Sequence, residues 1–303
     1  MQHPPYLKKG STIGITCPAG YVSNERVYPC IELLQEKGFR VKVGNTVGNE
    51  FHYFSGDDDT RFHDLQQMLD DENVDAILMG RGGYGMSRII DRLDFKKFQE
   101  KPKWICGFSD ITVLHNHIQA NFGVPTFHSP MCGSIKAETE NTAHIIQFFQ
   151  ALNGEELKYQ IQPNSQNRFG ATEGILTGGN LAILGHLTGS SSEVNTKGKI
   201  LFIEDIGEHL YHIDRLLLNL KRAGKLEQLH GLVVGSFTET EDTERPFGQT
   251  LEEIIFDKVR EYNFPVCFGL ACGHQDENYT LTLGAKHFLK VNEEGGFLKL
   301  IRE

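Results

Sequence analysis

The chain has 303 residues, 39% hydrophobic and 23% charged, which suits one large or two ordinary domains and excludes a disordered or fibrous protein. Thirty lysines and arginines against 40 acids leave a net charge of −10, and the basic doublets Lys8-Lys9, Lys96-Lys97 and Lys221-Arg222 form no cluster, so neither nucleic acid nor a membrane surface is an expected partner. The opening residues lack an apolar leader and no stretch reaches the ~20 apolar residues of a membrane span, so the expectation is a cytoplasmic protein.

Thr12 to Ile15 is a short apolar run closed by the turn Cys17-Pro18-Ala19-Gly20, which predicts a strand and a loop. Val27, Cys30, Ile31 and Leu34 then recur at helical spacing, Gly38 is a stop, and a strand follows at 40–43. The pattern repeats with a helix presenting Phe62, Leu65, Met68 and Leu69, a strand at Ala76 to Met79, and a helix after Gly85. A strand at Trp104 to Cys106, a helix carrying Ile111, Leu114 and Ile118, and a strand at Val124 to Phe127 complete an N-terminal α/β domain over 1–152. Alternation of this kind implies a mostly parallel, flavodoxin- or Rossmann-like sheet covered on both faces. The polar stretch 153–172 predicts a linker. Beyond it, 173–303 reads as a second, smaller α/β domain. Its expected parts are a glycine turn at 178–179, a strand at 199–203, a helix with Ile213, Leu216, Leu217 and Leu220, a strand at Leu232 to Val234, a helix near 250–262 and a strand at Thr280 to Leu283.

Four segments carry residue types suited to chemistry. Gly80-Arg81-Gly82-Gly83-Tyr84-Gly85 formally matches G-x-G-x-x-G, but it follows a later strand and no acid closes the next one. A structural turn, a dinucleotide loop and a loop lending backbone N–H groups to an active site all remain open, with the last favoured. Ser109 stands between an apolar strand and an amphipathic helix, where a hydroxyl is presented as a nucleophile or caps the helix; Ile111 breaks the hydrolase elbow G-x-S-x-G. Glu204 begins an acidic cluster where a buried strand surfaces, either facing a cleft or simply solvated. His274 lies in a Gly-His-Gln-Asp loop, a place where a histidine is either solvated or catalytic. His128 and Ser129 end a strand and line a site or a plain turn.

Metal chemistry is not expected. His115 and His117 are two apart on a helix, and Glu208, His209 and His212 lack the H-E-x-x-H order. Six cysteines without a C-x-x-C predict buried, reduced thiols.

Together these segments resemble the serine LD-carboxypeptidases that trim murein tetrapeptides, a family with microcin-immunity peptidases among its relatives. The resemblance spans roughly 10–290 and rests on Cys17-Pro-Ala-Gly20, Arg81-Gly-Gly-Tyr-Gly85, Gly107-Phe-Ser-Asp-Ile-Thr112, Gly178-Gly-Asn-Leu181, Ile203-Glu-Asp-Ile-Gly-Glu208 with Ile213-Asp-Arg215, and Gly273-His274, in the family's order. It implies a triad of Ser109, Glu204 and His274, with the serine on the first domain, its partners on the second and the site completed where the domains meet. By the same resemblance, the backbone N–H groups of Gly83 and Asp110 would form the oxyanion hole; Arg81, adjacent to the site loop, would hold the substrate's terminal carboxylate or brace the loop, and Tyr84 would contact substrate. No metal or other cofactor is implied. The implied substrate is a cytoplasmic muropeptide, L-Ala-D-Glu-diamino acid-D-Ala, cut before the terminal D-Ala during cell-wall recycling by a homodimer. An aminoacyl-nucleotide amidase of the microcin-immunity type and a non-catalytic two-domain binding protein are the alternatives.

Overall fold

The computed structural model describes residues 3–302, which divide into two compact units, 3–156 with Tyr279–Leu281, and Leu157–Asn278 with 282–302. The first unit runs β1 (Thr12–Thr16), α1 (Asn24–Glu36), β2 (Arg40–Val43), α2 (Asp58–Asp70), β3 (Ala76–Met79), α3 (Met86–Ile89), α4 (Lys96–Glu100), β4 (Trp104–Gly107), α5 (Thr112–Phe122), β5 (Thr126–His128) and α6 (Ala143–Leu152). The second runs β6 (Lys158–Ile161), β7 (Gly170–Asn180), α7 (Leu181–Leu187), β8 (Ile200–Ile206), α8 (Leu210–Arg222), β9 (Gly231–Thr238), α9 (Leu251–Val259) and β10 (Val266–Phe268). After β11 (Leu281–Leu283) come β12 (Lys286–Asn292) and β13 (Gly295–Leu300).

The α/β class and the expected strands of the first unit are observed. Its sheet has the order β11-β5-β4-β3-β1-β2, and β2, β1, β3, β4 and β5 pair in parallel. Strands β3 and β4 lie inside this sheet and are buried along their whole length, which is why they read as unbroken apolar runs. Their carboxyl ends open onto the loops Gly80–Gly85 and Phe108–Ile111.

The second sheet departs from a purely parallel reading. Its order is β10-β9-β8-β7-β12-β13-β6; β7 to β10 pair in parallel, while β12, β13 and β6 add on antiparallel. The expected linker at 153–172 is corrected here. Residues 158–161 form an edge strand whose Tyr159 and Ile161 are buried, and β7 begins at Gly170. Alternation of two buried side chains with Lys158 and Gln160 satisfies a half-buried strand while keeping the composition polar. The glycine pair 178–179 is likewise not a turn but lies within β7, opposite Phe202 and Ile203. Gly178 has φ +126°, and a Cβ there would stand 1.9 Å from the Phe202 carbonyl oxygen, so only glycine lets the two backbones approach.

Asn180 ends β7 and caps α7, its side-chain oxygen accepting from the Ile183 N–H at 3.1 Å. Asp205 of β8 completes the cap by accepting from the Ala182 N–H at 2.9 Å and from Asn180 Nδ2 at 2.8 Å. Burial pushes the Asp205 carboxyl up to about 6, against the pull of its hydrogen bonds. An acid whose folded pKa is raised is protonated in the native state between pH 4 and 6 while the unfolded chain has already ionised. Its contribution to stability is therefore greatest below about pH 4 and falls as pH rises towards 6. Asp205→Asn removes this loss, so the stability gap between wild type and variant should narrow by up to about 3 kcal/mol between pH 4 and 7. Urea unfolding at both pH values measures it, and a gap that does not change with pH would contradict the buried, raised carboxyl.

Candidate active site

Ser109 follows β4 and opens a short 3-10 turn, Ser109–Ile111, that leads into α5. Its φ is +64°, a left-handed conformation that only two other non-glycine residues, His52 and Glu239, share in the positive range among the described residues. Such backbone costs on the order of 1–3 kcal/mol and persists where its surroundings over-determine it. No side-chain hydrogen bond caps either the 3-10 turn or α5, so the helix-cap reading of Ser109 is set aside. The side chain is half-buried, and the loop after β3 lies directly against it: a Cβ on Gly82 would stand 2.8 Å from Ser109 Cβ and 3.0 Å from Oγ.

That loop is held by backbone bonds. The Gly20 N–H donates to the Gly82 carbonyl at 2.9 Å, and the Gly133 N–H to the Gly80 carbonyl at 2.9 Å. Gly83 and Gly85 take φ values of +95° and +150°. The helix that follows, α3, is one turn of four residues, too short to offer a pyrophosphate the summed dipole that a dinucleotide fingerprint uses. Arg81 is exposed and donates from Nη1 to the Tyr21 carbonyl at 2.6 Å, which braces the loops after β1 and β3. Tyr84 is exposed, its ring 6.1 Å from that of Phe54.

Asp110 is buried and its Oδ2 accepts from the Met86 N–H at 2.7 Å. Burial pushes its carboxyl up to about 6, while that hydrogen bond and the Arg61 guanidinium pull it down. Arg61 is a residue that sequence reasoning missed. Although 0% exposed, it donates to the carbonyls of Pro18, Gly85 and Gly56 at 2.8, 3.0 and 3.1 Å, pairs with Asp58 and lies 4.7 Å from the Phe54 ring centre. Its signal is positional: Arg61, Leu65 and Met68 share one buried stripe of α2, and a charge on an apolar stripe requires partners.

In the second unit, Glu204 is the fifth residue of β8 and is fully buried. The register of β8 against β9 shifts between Ile203 and Asp205, a local irregularity of the kind that re-aims side chains. Glu204 Oε2 accepts from His274 Nδ1 at 2.7 Å. A carboxylate facing Nδ1 favours the tautomer that carries the proton on that nitrogen. Glycine makes this approach possible. Gly273 has φ +124°, and a Cβ there would stand 2.7 Å from Glu204 Oε2 and 2.5 Å from Ser236 Oγ. The His274 carbonyl accepts from Thr238 Oγ1 at 2.6 Å, and the Gly273 N–H donates to Asn278 Oδ1 at 2.9 Å, so the loop is fixed on both sides of the ring. An imidazole held in one tautomer by a buried carboxylate is the orienting half of a general-base system.

His115 is buried, its Nε2 is 2.8 Å from the Gly107 carbonyl, and burial pulls its pKa down to about 4, which keeps it neutral. Glu208 pairs with His212 one turn along α8, and His209 lies 3.8 Å from Glu241. Among the described residues no group of three or more His, Cys, Asp or Glu could hold a metal ion. His128 is buried at the end of β5, its ring 5.6 Å from that of Phe108. All six cysteines are buried. No helix among the described residues is long and apolar enough to cross a membrane.

The chain is similar to known peptidases along most of its length. Residues 13–129 match the LD-carboxypeptidase N-terminal domain and residues 173–289 the LD-carboxypeptidase C-terminal domain. The chain is 35% identical to a probable murein peptide carboxypeptidase of Bacillus subtilis, over 96% of this chain and 92% of that one. It is 27% identical to the microcin C7 self-immunity protein of Escherichia coli, over 92% and 90% of the two chains. The crystal structure of muramoyltetrapeptide carboxypeptidase from Oxalobacter formigenes superposes with a TM-score of 0.87 at 28% identity, covering 96% of this chain and 99% of that one. With both domain models matched and its Ser109 loop and Glu204–His274 pair falling within them, the chain belongs to the LD-carboxypeptidase family of serine peptidases.

Proposed function

We propose that this enzyme removes the terminal D-alanine from murein tetrapeptides, L-Ala-D-Glu-diamino acid-D-Ala, with Ser109 as nucleophile, His274 as general base and Glu204 as its orienting carboxylate. The observation that carries the reading is the 2.7 Å bond from His274 Nδ1 to the buried Glu204, which leaves a basic Nε2 on a fixed ring. Support comes from the left-handed Ser109 and from relatives named as murein peptide and muramoyltetrapeptide carboxypeptidases.

In this mechanism Ser109 Oγ attacks the carbonyl carbon of the diamino acid as His274 Nε2 takes the hydroxyl proton. Negative charge on the carbonyl oxygen is met by the Gly83 and Asp110 N–H groups. Collapse of the tetrahedral intermediate breaks the C–N bond, and the same proton passes from His274 to the leaving D-alanine amine. Water, deprotonated by His274, then attacks the acyl-enzyme, and Ser109 leaves with the proton returned to it. Arg81 and Tyr84 belong to this proposal as substrate contacts, as do the homodimer, the cytoplasmic location and the role in cell-wall recycling.

An aminoacyl-nucleotide substrate is disfavoured by the fate of the only tryptophan. Trp104 is fully buried in β4, stacked on Phe127 at 3.9 Å between ring centres, and its Nε1 donates to the Pro5 carbonyl at 3.1 Å. It offers no face to a base, whose stacking on an aromatic is worth about 1–3 kcal/mol.

Purified protein incubated with murein tetrapeptide should release one D-alanine and the tripeptide, read by mass spectrometry. Ser109→Ala should remain folded and lose on the order of 10⁶-fold in turnover, with His274→Ala similarly impaired. A Ser109→Ala variant retaining a tenth of wild-type turnover would remove Ser109 from its role. A higher kcat/KM for an aminoacyl-nucleotide amide, with both substrates in competition, would replace the murein reading.

A further inference from the structure

The peptide unit that joins Gly85 to Met86 is gripped at both ends by buried side chains of opposite charge. Its carbonyl accepts from Arg61 Nη1 at 3.0 Å, and its N–H donates to Asp110 Oδ2 at 2.7 Å. Cation at the oxygen and anion at the hydrogen both match the dipole of the peptide group, about 3.5 D. Two charged contacts on one amide fix its plane, since rotation would lose both.

The grip spans three loops at one edge of the sheet, after the neighbouring strands β1, β3 and β4. Arg61 also donates to the Pro18 carbonyl at 2.8 Å, in the loop after β1. Gly85 ends the loop after β3, and Asp110 adjoins Ser109 in the loop after β4. Neither side chain has a surface role: Arg61 is 0% and Asp110 1% exposed. Burying a guanidinium and a carboxylate is costly unless both are satisfied, and each alone would destabilise the core. The Gly83–Gly85 segment takes backbone conformations, φ +95° and +150°, that intrinsic preference leaves loose in glycine.

We propose that Arg61 and Asp110 are positioning residues that clamp the Gly85–Met86 peptide and thereby hold the Gly83 N–H in register with the Asp110 N–H for oxyanion binding. Asp110 then serves twice, its main chain as one donor and its side chain as the anchor of the loop bearing the other. The clamp rests on the serine-peptidase reading proposed above. It acts on charge developing in the transition state, so its loss lowers kcat and leaves KM nearly unchanged.

The test measures tetrapeptide kinetics and fluorophosphonate labelling of Ser109 in wild type, Asp110→Ala, Asp110→Asn and Arg61→Lys, with active sites counted from the labelling end point so that unfolded protein does not enter kcat. Asp110→Ala should lose about 100-fold in kcat with KM within about threefold, the size expected for one misplaced oxyanion donor. Asp110→Asn keeps an oxygen for the Met86 N–H and should recover to within about fivefold of wild type. Arg61→Lys keeps the charge without the fork and should lose about tenfold in kcat. Asp110→Ala within threefold of wild type, or Asp110→Asn no better than Asp110→Ala, would overturn the clamp. If Asp110→Ala does not fold, Arg61→Lys decides: a loss of about tenfold in kcat with KM within about threefold supports the clamp, and kcat within about twofold of wild type overturns it. If wild type labels but does not cleave tetrapeptide, the substrate reading fails and the clamp is judged from labelling rates. If wild type neither labels nor cleaves, the serine reading fails, and faster hydrogen exchange of the Met86 amide in Asp110→Ala than in Asp110→Asn still reports the grip; equal exchange would refute it.

Discussion

The backbone of the Gly80–Gly85 loop passes directly against the side chain of Ser109, and the proposed chemistry depends on that approach. Gly82 fits against Ser109 only because it lacks a Cβ, which would stand 2.8 Å from the serine Cβ. Parallel neighbours such as β3 and β4 deliver their loops to the same edge of the sheet, so crowding there follows from the topology. Ser109 meets the crowding with a left-handed backbone, φ +64°, at a cost that the flanking buried strand and helix outweigh. The Asp110 hydrogen bond to Met86 and the Arg61 donors convert the same crowding into rigidity.

The second unit solves a different problem with the same means. A fully buried carboxylate is unfavourable unless a donor meets it, and His274 supplies one to Glu204. Space for that pair comes from absent side chains: a Cβ on Gly273 would collide with Glu204, and one on Gly235 would stand 2.4 Å from the Cys272 carbonyl oxygen. Glycine in both units therefore buys contact distance more than flexibility. In the proposed mechanism Glu204 orients the His274 ring and stabilises the imidazolium that forms during proton transfer.

Strands that are buried on both faces were legible from composition, because β3 and β4 carry nothing but apolar residues and glycine. Strand β6 was not, since its two buried residues alternate with Lys158 and Gln160 inside a polar segment. Gly178 and Gly179 imitate a turn because positive φ and glycine usually mark one, whereas here they admit β8 at short range. The hairpin of β12 and β13 escaped notice although His287, Leu289 and Val291 alternate as buried residues. Ser109 was visible as a hydroxyl between strand and helix, while Glu204 and His274 gained their pairing only from family resemblance, since they are 70 positions apart. Arg61 was hidden by its type: on a helix an arginine reads as solvated, and only the burial of the stripe it shares reveals that it holds loops together.

The central claim is that Ser109 becomes covalently acylated during turnover. Rapid acid quenching of enzyme with murein tetrapeptide, followed by proteolysis and mass spectrometry, reads this directly. The account predicts a transient adduct of the tetrapeptide less its terminal D-alanine, confined to the peptide that contains Ser109 and absent from Ser109→Ala. Product formation in a single turnover with no adduct at any quench time, or with the adduct on another residue, would contradict it.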